Sequence, residues 1–99
     1  MVLEIADIAV KPGTEEQFAE AAREGLKYVS DTPGFGSARL TRGVESPSRF
    51  VLLIEWDSVE AHNVGFRESE NFGRWRGLIG PFLDGAPQVE HVNDIRLSS

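Results

Sequence analysis

The sequence predicts a small α+β domain in which strands and helices follow the order β-α-β-β-α-β. Three observations predict it. Four short runs are rich in Val, Ile, Leu and Phe. Two stretches between them carry apolar residues at helical spacing. Turn clusters, Pro12-Gly13, Thr32-Pro33-Gly34 and Asp84-Gly85-Ala86-Pro87, separate the two kinds of segment.

Residues 2–10 form the first strand, stopped by Pro12-Gly13. Thr14 with Gln17 three residues on reads as a capping box opening a helix to about Ser30, and Phe18, Ala22, Gly25, Leu26 and Val29 share one stripe of it. After the turn at residues 31–34, residues 35–42 and 50–56 form a hairpin around the polar connector 43–49. The run FVLLIEW is apolar on both parities, so both of its faces are expected to be covered. Asp57 or Ser58 then caps a short helix to about Val64. Ser69 opens another helix bearing Phe72, Trp75, Ile79 and Phe82. Residues 88–95 form the last strand. This is the ferredoxin-like order, a four-stranded antiparallel sheet with helices on one face. The bare face would span several hundred Å², the size of an interaction surface, and a second copy related by a two-fold axis is its simplest cover. The expectation is a homodimer, a dimeric α+β barrel.

The 99 residues, without repeat, linker or low-complexity segment, are read as one domain over residues 1–99 with a single modest core. Ten Lys and Arg against sixteen Asp and Glu give a charge of −6, which disfavours nucleic acid and anionic membrane surfaces as partners. No apolar run is long enough for a membrane span, and MVLEIADIAV lacks the basic region and cleavage site of a signal peptide, so a cytoplasmic location is expected. The absence of Cys excludes disulfides, a thiolate nucleophile, iron–sulfur clusters and Cys-type zinc sites. No nucleotide-binding glycine motif, nucleophile elbow or metal-ligand spacing is present, so neither cofactor nor metal is expected.

His62 and His91 remain as the side chains that titrate near neutral pH, and they are the first candidates for proton transfer. Aromatic residues gather in the second half of the chain: Phe50, Trp56, Phe66, Phe72, Trp75 and Phe82. Arg67, Arg74 and Arg76 lie among them, and an Arg at an aromatic cleft can hold an anion.

With VKPG at 10–13, TPGF at 32–35, EWDSVEAH at 55–62 and SENFGRW at 69–75, nearly the whole chain resembles the antibiotic biosynthesis monooxygenase family, dimeric proteins that include cofactor-independent oxygenases. In its aromatic polyketide oxygenases the resemblance carries a pocket Trp onto Trp56 and an Arg onto Arg76. The family's proton-exchanging Tyr falls on His62 and its Asn on Leu52, which cannot hydrogen-bond. The haem-degrading relatives of the fold place their Asn, Trp and His on Ala6, on Gly65 or Phe66, and on Trp75 or Arg76, which leaves no axial His there.

The resemblance implies oxidation of a phenolic, quinol or polyketide-type aromatic by dioxygen without a cofactor. His62 would accept the substrate proton, with His91 as the alternative acceptor, and Arg76 would stabilise the anion. Trp56, Phe66 and Phe72 would wall the ring, with Trp75, Leu52 and His91 completing the substrate pocket. A non-catalytic dimer that binds a small molecule is the alternative.

Overall fold

The computed structural model describes residues 1–98. Strands β1 (Val2–Ala9), β2 (Phe35–Arg42), β3 (Arg49–Trp56) and β4 (Gln88–Val92) form one antiparallel sheet in the order β2-β3-β1-β4. Helices α1 (Glu15–Ser30) and α2 (Glu70–Ile79) cover one face of it. A π-helical turn, Ala61–Phe66, precedes α2, and a 3₁₀ turn, Gly80–Phe82, follows it. This is the ferredoxin-like fold. No helix among the described residues is long and apolar enough to cross a membrane.

The core lies between sheet and helices because even-numbered positions of β1 and β3 point there together. Ala6 and Ile8 come from β1, and Phe50, Leu52, Ile54 and Trp56 from β3. The expected stripe of α1 meets them with Phe18, Ala22 and Val29, and Phe18 packs its ring on Phe50 at 4.7 Å. Gly25 belongs to this stripe for a steric reason. A Cβ there would lie 2.8 Å from Cε3 of Trp75, so its absence lets α1 and α2 approach.

Several details differ from the sequence-based expectation. Thr14 does not cap α1 through its side chain; its hydroxyl donates back to the Lys11 carbonyl at 2.7 Å, closing the Pro12-Gly13 turn instead. Regular pairing in β1 ends at Ala9, with Val10 in an isolated bridge to Leu83. Strand β4 ends at Val92 rather than residue 95 because the register on β1 runs out at Leu3. The second face of β3 is not covered by this chain: Val51, Leu53 and Glu55 are half-buried. They share that open face with Leu3, Ile5 and Asp7 of β1, and the Asp7–Arg49 ion pair lies at its edge.

Candidate functional site

The site begins with a break in helical regularity. Gly34, at φ +95°, turns the chain into β2 and leaves room for Ala61, whose Cβ would be 2.7 Å from a Cβ at position 34. Ser58 Oγ accepts the Ala61 N–H at 3.0 Å, which starts the turn as expected of a capping Ser. The backbone then widens to the π form, the Arg67 N–H donating to the His62 carbonyl at 2.9 Å. The short helix expected here is thus a π turn reaching Phe66. Val64 and Gly65, poor α-helix formers, sit at its centre.

This turn buries His62 and Phe66 together against the end of β3. The His62 ring stacks on Trp56, with centroids 5.3 Å apart and planes 14° apart, and Phe66 stacks on Trp56 at 5.9 Å. Phe72, from α2, meets Phe66 edge-on at 5.4 Å. Two guanidinium groups flank Phe72: Arg67 Cζ lies 5.6 Å and Arg76 Cζ 5.8 Å from the ring centre.

The polar centre includes a residue the sequence reading missed. Glu4, on the helix-facing side of β1, is only 5% exposed. Its Oε1 accepts the Trp56 indole N–H at 2.9 Å and lies 3.3 Å from His62 Nε2. The other His62 nitrogen, Nδ1, is 2.8 Å from His91 Nε2. His91 reaches this position because β4 pairs it directly with Glu4 across the sheet. Glu4, His62 and His91 therefore form a line, the carboxylate at one ring nitrogen of His62 and the second imidazole at the other. Among the described residues no three His, Cys, Asp or Glu side chains are grouped to hold a metal ion.

Burial brings the His62 pKa down to about 4, with the charges of His91 and Arg67 adding to it. Burial likewise raises Glu4 above the usual carboxylate value, against the lowering effects of the Trp56 hydrogen bond and of Arg67. Both groups are thus pushed toward their neutral forms, and His62 is uncharged at neutral pH.

A cavity of about 170 Å³ opens beside this line, bounded by Glu4, His62, Leu52, Phe72, Trp75 and Arg76, with Phe66 and Arg67 also on its wall. Of the residues singled out from sequence, His62, Arg76, Leu52, Phe66, Phe72 and Trp75 come together there. Trp56 stands behind His62, fully buried. His91 is not on the cavity wall; it is half-buried on the far side of His62. Leu52 and Trp75 also line a second cleft of about 410 Å³ between α1 and β2. The signal for Glu4 was present in the sequence as a lone carboxylate in an otherwise apolar stretch, VLEIA. Apolar residues on both parities of β1 hid which way it points.

Comparison with known proteins agrees with this architecture. The family model for antibiotic biosynthesis monooxygenases matches residues 1–78, which contain all of these residues except His91. The Bacillus subtilis protein YczJ is 34% identical over 95 residues, covering 96% of this chain and 100% of that one. A crystal structure from Bordetella bronchiseptica that bears the family's name is 34% identical and superposes with a TM-score of 0.94 over 96% of this chain and 97% of that one. SnoaB, a cofactor-independent oxygenase from Streptomyces nogalater, shares the fold, with a TM-score of 0.82 over 96% of this chain and 93% of its own at 14% identity. By its matched span and by these full-length likenesses, the chain belongs to the antibiotic biosynthesis monooxygenase family.

Proposed function

We propose that the protein is a cofactor-independent monooxygenase that oxidises a phenolic or quinol-type aromatic with dioxygen. The observation that carries this reading is the Glu4–His62–His91 line, its first two members buried, beside an apolar cavity flanked by Arg67 and Arg76. Dioxygen is a triplet and reacts slowly with a closed-shell organic molecule until an anion can give up an electron. The site therefore has to remove a proton and hold the resulting charge. Titratable groups set in an aromatic wall suit the first task, and guanidinium groups at Phe72 suit the second. The activated carbon then bonds to dioxygen. Loss of that carbon's proton and cleavage of the O–O bond give a carbonyl and water, so the phenol's O–H and ring C–H together with O₂ become two quinone carbonyls and H₂O.

The cavity also favours a substrate size. At about 170 Å³ it matches the roughly 150 Å³ that accommodates benzene in an engineered protein cavity. A single ring fits it, and an extended polycyclic substrate would project beyond it. Leu52 offers that ring apolar contact rather than a hydrogen bond.

The test is oxygen uptake in chelator-treated buffer with a panel of quinols, anthrones and simple phenols. The expected result is protein-dependent uptake that is fastest with single-ring quinols. Tight binding of such compounds with no uptake for any of them would instead identify a non-catalytic binding protein.

A further inference from the structure

His62 has no ring nitrogen turned to the cavity. Nδ1 is occupied by His91 at 2.8 Å and Nε2 faces Glu4 Oε1 at 3.3 Å. Glu4 is arranged differently. Its Oε1 faces Trp56 and His62, whereas Oε2 has no hydrogen bond among the described residues. No side-chain oxygen there is both buried and without a partner, so Oε2 opens onto accessible space, and the space that Glu4 lines is the cavity.

We propose that Glu4, through Oε2, is the catalytic base of the oxygenation, with His62 and His91 as positioning residues behind it. This assignment rests on the oxygenase reading above. The substrate's acidic O–H or C–H bond breaks, an Oε2–H bond forms, and the electron pair stays on the substrate beside Arg76 and Arg67. The same proton later joins the hydroxide released when the O–O bond breaks, which yields water and restores the carboxylate.

The surroundings suit that task. Trp56 from β3 and His62 from the π turn fix Oε1, so the carboxylate cannot rotate freely. The charged and titratable groups around it are His62, Arg67 just after the π turn, His91 of β4 and Arg76 of α2, while α1 contributes only Val29 to the cavity. Burial raises the pKa of Glu4 and so strengthens it as a base. The same burial weakens His62, which at about 4 is a poor proton acceptor at neutral pH.

Glu4→Gln tests the assignment, because the amide oxygen can still accept the Trp56 N–H while the base is lost. With a quinol that the native protein oxidises, kcat should fall by about 10²-fold or more and the acidic limb of its pH profile should disappear, with KM little changed. Full activity with that limb intact would overturn the assignment and leave the oxygenase reading standing. A second measurement needs neither turnover nor a variant. The native protein, ¹³C-labelled at Glu carboxyl carbons, is titrated anaerobically with 4-nitrophenol, whose absorbance reports its ionisation. Phenolate should appear together with protonation of the Glu4 carboxyl. Phenolate without a change at Glu4, or no binding at millimolar concentration, would overturn the proposal.

Discussion

His62 gives the fold a dependence on pH. Its pKa of about 4 in the folded protein lies below its ordinary value of 6.5. Between those values the unfolded chain binds more protons, so stability falls as pH drops through that window, by about 3 kcal/mol for His62 alone. Glu4 acts with the opposite sign. Its raised pKa means that burying the ionised form is unfavourable, and protonation on acidification relieves part of that loss. Urea midpoints measured between pH 4 and 7 should therefore decline toward acid in the native protein and flatten in His62→Phe. An identical decline in that variant would place the acid sensitivity elsewhere. Trp56, fully buried under His62 and Phe66 with its indole N–H on Glu4, should cost about 3–5 kcal/mol on replacement by Ala. Unchanged denaturant stability would contradict its place in the core. At this scale the family resemblance pointed to Trp56, His62 and Arg76, and the structure brings His62 and Arg76 to one cavity with Trp56 behind His62. The sequence did not disclose Glu4 or its link to His91, since that contact depends on the pairing of β1 with β4, made across most of the chain.

Among the elements, the approach of α1 to α2 shapes the cavity. Trp75 packs against Gly25 on one side and borders the cavity on the other. Gly25→Ala would put a methyl 2.8 Å from the indole ring, so Trp75 has to move. Destabilisation of about 1–3 kcal/mol is expected, with a red or blue shift of tryptophan fluorescence as the ring is displaced. Retained stability and an unchanged spectrum would show that the helices separate without effect on the wall. The order of elements and the buried stripe of α1 were legible because periodicity and turn residues are local signals. The π turn was not, because the stretch from Asp57 or Ser58 to about Val64 read as an ordinary short helix, and the room that Gly34 leaves for Ala61 exists only in the fold. The capping box at Thr14 does not form: its hydroxyl donates to the Lys11 carbonyl, and no N–H of α1 donates to its oxygen.

Over the whole molecule, the sheet face opposite the helices is the expected interface between two copies of the chain. Leu3, Ile5, Val51 and Leu53 occupy its middle, half-exposed, with Asp7, Arg49, Arg39 and Glu55 around them. Burying about 600 Å² of such apolar surface is worth about 15 kcal/mol before the cost of association. A homodimer is the expected form, with a mass near twice 10.9 kDa by light scattering at micromolar concentration. Leu53→Glu should shift it to monomer. A native monomer would contradict the sheet-pairing argument. The bare face was foreseeable from the apolar parity of FVLLIEW together with a fold whose helices cover only one face of the sheet. Isotope labelling tests whether the protein inserts oxygen from dioxygen into an aromatic substrate without a cofactor. Reaction of metal-depleted protein with a single-ring quinol under ¹⁸O₂ should place one labelled atom in the quinone product and the other in water. Product that carries no label, or an oxidation that stops when trace metal is removed, would contradict the account.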